Sequence, residues 1–198
     1  MVERAEAAGA DRYVLTRQPL ERLSRRQTPP QVIAVAVQPA WTVDELAADR
    51  PSLVLIADAV EKPGNLGAMM RSADAAGADA FIVSDPVTDL ANPNVIRASQ
   101  GALFSFPVAA APAEAVAAWL DRHQLNVLIA ADDATTRLWD IDLKQPTAIV
   151  IGSEDRGPSD TWREHQQVSI PMAGASDSLN ASVAAAVFLF EAARQRSH

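Results

Sequence analysis

The 198-residue chain contains no cysteine, which removes thiolate nucleophiles, iron–sulfur clusters and thiol-ligated zinc from consideration. Its three histidines, His123, His165 and His198, are scattered, so a histidine-rich metal centre is not expected. No apolar run is long enough to span a bilayer, and the acidic start MVERAEAAGADR is unlike a signal peptide. Neither G-x-G-x-x-G nor G-x-x-x-x-G-K-[ST] occurs, which disfavours a Rossmann-type dinucleotide site and excludes a P-loop. Internal repeats and low-complexity tracts are absent as well. With 48% hydrophobic and 21% charged residues, the composition is that of a soluble globular domain able to bury a real core. Disordered, collagenous and disulfide-scaffold classes are thereby set aside, and a cytoplasmic protein with no membrane or metal partner is the expectation.

Lysine is nearly absent too: of 17 basic residues only Lys62 and Lys144 are lysine. The net charge is −8, which at first sight argues against nucleic acid, because phosphate contacts need cations. The distribution is uneven. Residues 1–30 carry six arginines and four acids, for +2, and the remainder carries eleven basic and twenty-one acidic residues, for −10. Arginine is suited to planar, bidentate phosphate and carboxylate contacts, and a local arginine patch suffices to contact RNA whatever the net charge.

Along the chain, short apolar runs alternate with helical patterns. Val32–Val37 (VIAVAV), Leu53–Ala57, Ala80–Val83, Asn126–Ala130, Ala148–Ile151 and Val168–Ile170 read as strands. Leu66–Ala76, Ala113–Arg122 and Ser178–Arg194 read as helices. Nearly all-apolar strands separated by helices predict an α/β fold with a mostly parallel sheet covered by helices on both faces. The polar, proline-bracketed stretch Gln38–Pro51 is the one candidate boundary, which divides the chain into residues 1–50 and 51–198.

Ligands of such sheets bind at the carboxyl ends of the strands, so the loops after strands are searched first. Asp58–Arg71 (DAVEKPGNLGAMMR) leads from a strand into a helix, with Asn65 a good N-cap and Arg71 further along the helix. On spacing alone it is equally an ordinary capped turn with a surface arginine. Ala148–Ser159 (AIVIGSEDRGPS) places two glycines around Glu154 and Asp155, enough to wrap a ligand with backbone amides and one carboxylate, or to make a plain solvated turn. In the third segment, VSIPMAGASDSLNASVAAA from Val168, Ser178 and Asn180 sit at the start of a helix. Capping by Asp177 or Ser178 accounts for the serine, but Asn180 inside a first turn is left unexplained, since asparagine is a weak helix former.

Taken together and in order, these segments resemble the SpoU (TrmH) family of RNA ribose 2′-O-methyltransferases in the SPOUT superfamily. The resemblance lies in PGNLGAMMRSADAAGAD (Pro63–Asp79), IVIGSEDRG (Ile149–Gly157) and IPMAGASDSLNASVAAA (from Ile170), with NPNVIRASQGALFSFPV (Asn92–Val108) also similar. It covers roughly residues 50–196.

The resemblance implies a C-terminal deep trefoil knot, which hydrophobic periodicity cannot reveal. It implies S-adenosylmethionine as cofactor, in a pocket lined by Gly152, Ile170 and Leu179 with Met172 and Ala131 as neighbours. It implies methyl transfer to a ribose 2′-hydroxyl of rRNA or tRNA. Arg71 corresponds to the arginine proposed to assist the 2′-hydroxyl; since an arginine pKa lies above 12, a positioning role is at least as sound physically as a base. Asn65, Glu154, Ser178 and Asn180 match the other polar positions, with Glu154 expected to orient and neutralise Arg71. Arg97 is a candidate phosphate contact. The resemblance also implies a homodimer with composite sites, and an N-terminal segment that is only the trailing part of an RNA-binding domain, through truncation or loss. The competing reading is a catalytically silent, knotted RNA-binding or assembly protein; the complete polar set argues against it, because a pseudo-enzyme is free to lose such groups.

Overall fold

In the computed structural model, residues 1–24, 28, 30–46 and 50–197 are described. They fall into two units, Met1–Pro39 and Ala40–His198. The first holds two short helices, α1 (Val2–Ala7) and α2 (Arg17–Leu23), the latter with an exposed i,i+4 pair in which Arg17 Nε donates to Glu21 at 2.7 Å. Val32–Val37 does not form the expected strand. Val35 and Val37 are 97% and 94% exposed, and no backbone hydrogen bond engages the run among the described residues. A β-branched run becomes a strand only when a neighbouring strand takes its backbone hydrogen bonds.

The second unit is built on a six-stranded sheet of β1 (Leu53–Asp58), β2 (Ala80–Ser84), β3 (Val108–Ala111), β4 (Asn126–Ala130), β5 (Thr147–Ile151) and β6 (Gln166–Val168). The spatial order is β3-β2-β1-β5-β4-β6 and every pairing is parallel. β1, at the centre, is buried along its whole length, as a parallel strand covered on both faces must be. Its residues divide by parity. Leu53, Leu55 and Ala57 join the core that includes α3 (Pro63–Ala75) and α7 (Ala181–Arg196). Val54 and Ile56 join the core on the opposite face with α6 (Ala113–Arg122), where Val116, Trp119 and Leu120 are buried.

In α3, Leu66, Met69, Met70 and Ala73 recur at helical spacing and are fully buried; each large side chain contributes about 1.5–3 kcal/mol of burial free energy. Two further helices, α4 (Pro93–Ala98) and α5 (Ala102–Ser105), lie on the same face. Gly67 makes the α3–α4 contact possible. A Cβ there would sit 2.5 Å from the Ala98 Cβ and 2.6 Å from the Val95 carbonyl oxygen.

Several boundaries differ from the sequence reading. Helix α3 opens at Pro63, with Lys62 at its N-cap, so Asn65 lies inside the first turn instead of capping it. Helix α7 starts at Ala181, not Ser178, and its cap is Asn180, whose Oδ1 accepts from the Ser182 N–H at 3.0 Å and the Ser182 hydroxyl at 2.7 Å. The strand expected at Val168–Ile170 is Gln166–Val168, extended only by a bridge between Ser169 and Arg137. No helix among the described residues is long and apolar enough to cross a membrane.

Candidate functional site

The loops at the carboxyl ends of β1, β4, β5 and β6 meet above the sheet, and three of the polar residues singled out in the sequence converge there. Asn65 Nδ2 donates to Glu154 Oε1 at 2.7 Å. Asn180 Nδ2 donates to the same oxygen at 3.0 Å and lies 3.3 Å from Asn65 Oδ1. The other carboxylate oxygen, Glu154 Oε2, is ion-paired with Lys62. One carboxylate therefore joins the start of α3, the loop after β5 and the cap of α7. An ionised carboxylate accepts at both oxygens and donates at neither, which is what a junction of amide and ammonium donors needs.

The loop after β5 is shaped by its glycines. Ser153 and Gly157 form an antiparallel bridge, with the Gly157 N–H donating to the Ser153 carbonyl at 3.0 Å and Gly157 at φ +67°. Gly152 has no room for a side chain: a Cβ would lie 2.3 Å from the Gly157 carbonyl carbon and 2.4 Å from the Pro158 nitrogen. The far end of the loop is fixed by Asp58, buried at the end of β1. Asp58 Oδ2 accepts from the Ser159 N–H at 2.7 Å, and its Oδ1 accepts from the Ser84 hydroxyl at 2.8 Å. Sequence reading passed over Asp58; an acid closing an otherwise apolar strand was the available signal.

Beside the Glu154 junction opens a cleft of about 570 Å³. Ala130–Asp133, Ile151–Glu154, Gly157, Pro158, Ser178–Ala181 and Ala184 line it. Of the residues assigned to a cofactor, Gly152, Leu179 and Ala131 face this cleft. Ile170 is packed against the α3–α7 core and Met172 is 39% exposed; neither lines the cleft. Ser178 lines it and makes no side-chain hydrogen bond among the described residues, so it caps nothing. Asp132 and Asp133 also line it, and among the described residues no lysine or arginine does.

Approaching the cleft, residues 170–179 form no backbone hydrogen bond among the described residues, either as donors or as acceptors. This segment, in which every residue but Pro171 carries an N–H, reaches the cleft at Ser178 and Leu179 and makes a ready surface for a ligand recognised by backbone atoms.

The cations are arranged differently from the expectation. Arg71 is exposed on α3, and its side chain makes no hydrogen bond or ion pair among the described residues. Glu154 takes Lys62 in its place, so the expected Glu154–Arg71 pairing is not formed. Arg97, exposed near the end of α4, is likewise unpaired among the described residues. No group of potential metal ligands occurs among the described residues.

Comparison with known proteins agrees with this architecture. A family model described as the SpoU rRNA Methylase family matches residues 52–190. A 23S rRNA (uridine(2479)-2'-O)-methyltransferase of Streptomyces viridochromogenes is 38% identical over 185 residues, covering 89% of this chain and 64% of its own length. The chain thus spans just under two thirds of that relative. A 23S rRNA (guanosine-2'-O-)-methyltransferase, RlmB of Ralstonia nicotianae, is 38% identical over 200 residues, covering 98% of this chain and 80% of its own. Among solved structures, the SpoU methyltransferase AviRb of Streptomyces viridochromogenes in complex with AdoMet superposes with a TM-score of 0.88 at 34% identity, covering 98% of this chain and 77% of that one.

Proposed function

Because the chain belongs to the SpoU rRNA Methylase family, we propose that it transfers a methyl group from S-adenosylmethionine to a ribose 2′-hydroxyl of ribosomal RNA. The observation that carries this reading is the junction of Asn65, Glu154 and Asn180 at the edge of a cleft reached, at Ser178 and Leu179, by a segment whose backbone is unengaged among the described residues. The cleft volume falls within the roughly 300–1,000 Å³ usual for small-molecule sites. The tight glycine loop leaves backbone, not side chains, to meet an adenosine.

When bound, S-adenosylmethionine supplies an activated methyl group on a sulfonium leaving group, so the chain's own work is orientation. Gly152, Leu179 and Ala131 wall the cofactor cleft, and Ile170 and Met172 belong to the segment that offers backbone groups to it. Glu154, Asn65 and Asn180 hold the three loops in register, while Ser178 presents a free hydroxyl to the cleft. Arg71 serves the RNA. A guanidinium is ordinarily protonated and donates hydrogen bonds, so it positions the 2′-oxygen or the adjacent phosphate and stabilises the oxygen as its proton leaves to water. Arg97, on the neighbouring helix α4, supplies a second phosphate contact.

The same proposal extends to the chain's path and assembly. A C-terminal trefoil knot is supported by the connection from β4 to β5: its Leu138 and Leu143 are buried in one core with Phe188 and Leu189 of α7, so that connection and α7 share a face of the sheet. A homodimer is supported by Val183 and Phe190, large apolar residues two turns apart on α7 that are 47% and 52% exposed. Residues 51–198 constitute the methyltransferase domain, and residues 1–50, of which the first thirty carry a net charge of +2, an RNA-binding or linking segment. With ribosomal RNA as substrate, the site of action is the cytoplasm.

Calorimetric titration with S-adenosylmethionine tests the cofactor reading directly. Saturable binding is expected, and a flat titration at millimolar ligand removes it.

A further inference from the structure

Lys62 is one of two lysines in an arginine-rich chain, and its position is unfavourable on local grounds alone. It occupies the N-cap of the 13-residue helix α3, where the helix dipole disfavours a cation, and its carbonyl accepts from the Asn65 and Leu66 N–H groups at 3.0 and 3.2 Å. Its side chain is 67% exposed, yet it is held against Glu154, whose side chain is only 25% exposed. Among the described residues, the hollow around it is lined by Glu61, Glu154 and Asp155 and by no other cation. Glu154 also faces the larger cleft, together with Asp132 and Asp133 and again no cation among the described residues.

That charge distribution bears on the proposed reaction. Methyl transfer turns a sulfonium cation into a neutral thioether, so an uncompensated carboxylate beside the cleft stabilises the charged reactant more than the transition state, in which the charge is dispersing. A counter-ion on the carboxylate reduces this bias while leaving its acceptor oxygens in place.

We propose that Lys62 is the positioning residue of the site: it holds Glu154 at the junction with Asn65 and Asn180 and offsets the carboxylate's charge in the cofactor cleft, leaving Arg71 free for RNA. This rests on the reading of the cleft as the S-adenosylmethionine site.

The test measures the full chain's affinity for S-adenosylmethionine and for the neutral product S-adenosylhomocysteine by calorimetry. The proteins compared are the wild type, Lys62→Met, Lys62→Arg and the Lys62→Met/Glu154→Gln double variant. Lys62 is largely exposed, so its replacement opens no cavity; circular dichroism and the thermal midpoint serve as folding controls. Removing one compensating charge in a partly hydrated cleft is expected to shift the affinity ratio about fivefold towards the charged cofactor in Lys62→Met. The ratio stays within about twofold of wild type in Lys62→Arg, which keeps the charge, and returns to the wild-type ratio in the double variant, which removes the carboxylate's charge as well.

A Lys62→Met variant that binds both ligands with the wild-type ratio, or weakens both equally, overturns the charge-offset role. An unchanged ratio with a raised KM for RNA would make Lys62 an RNA contact and overturns it too. A wild-type protein that binds neither ligand fails at the earlier step, the assignment of the cleft.

Discussion

The Asn65 side-chain amide donates to Glu154 at 2.7 Å, tying the first turn of α3 to the loop after β5 across 89 residues of sequence. Asn180, the cap of α7, donates to the same oxygen at 3.0 Å. Three segments that are far apart in the chain thus share one acceptor.

Removing that acceptor should loosen the cofactor cleft before it unfolds the domain. Glu154→Ala is expected to weaken S-adenosylmethionine binding about tenfold, the scale of one lost charge-assisted hydrogen bond. Glu154→Gln, which keeps one acceptor oxygen for the asparagines but loses the ion pair, should fall between. Calorimetry decides; a wild-type dissociation constant for the alanine variant removes Glu154 from the account.

The Arg71 side chain makes no hydrogen bond or ion pair among the described residues, so its removal should cost the fold little. Arg71→Ala is expected to lower methyl transfer by about a hundredfold or more, as loss of a group that orients the reacting oxygen does, with S-adenosylmethionine affinity within about twofold of wild type. Single-turnover kinetics checks this, and unchanged turnover would exclude Arg71 from the chemistry.

The glycines in these loops separate into those the fold requires and those it does not. Gly152→Ala drives a Cβ into the Gly157 and Pro158 backbone and should destabilise by about 1–3 kcal/mol with loss of cofactor binding. Gly64, in the first turn of α3, has nothing within 4 Å of its Cβ position and no positive φ, so Gly64→Ala should be stabilising by about 0.4–1 kcal/mol. Urea denaturation of the pair measures the contrast.

Much of this arrangement is legible in the sequence, for physical reasons that can be named. β1, β2 and β5 are strands buried on both faces, and such strands leave continuous apolar runs. The runs and the order of the loops were sufficient for the parallel α/β architecture. β3 escapes because Val108–Ala111 is mostly alanine, which favours helix when read alone. Val32–Val37 misleads in the opposite sense, having strand composition and no strand paired with it among the described residues. The two asparagines exchange their expected roles. Asn180 is the cap and Asn65 is not, because the helix starts were displaced by three residues each, Asn65 being left within a turn that Pro63 begins. The choice of Lys62 over Arg71 as partner of Glu154 depends on how loops from different strands meet, which no local pattern encodes.

At the far end of α7, Glu191 accepts from Arg194 Nε and Nη2, each at 2.8 Å, and from Gln195 at 2.8 Å. The Arg194 hydrogen bonds, more than the Gln195 bond, hold the Glu191 carboxyl below its ordinary value of 4.5 against the opposing effect of burial. A lowered folded-state value means that the folded protein binds fewer protons. The stabilisation is therefore present above that ordinary value and is lost as pH falls through the depressed one. Glu191→Gln should flatten the acid-side decline of the thermal midpoint relative to wild type, and parallel curves would show that the pair contributes nothing.

The central claim, methylation of an RNA ribose, is tested most directly by incubating the protein with unmodified bacterial 23S rRNA and S-adenosylmethionine carrying a deuterated methyl group. Nuclease digestion and mass spectrometry then locate the label. The account predicts the deuterated methyl on the ribose of one nucleotide type, with none from the Arg71→Ala variant. Label on a base, or no label from a protein that binds the cofactor, would contradict it.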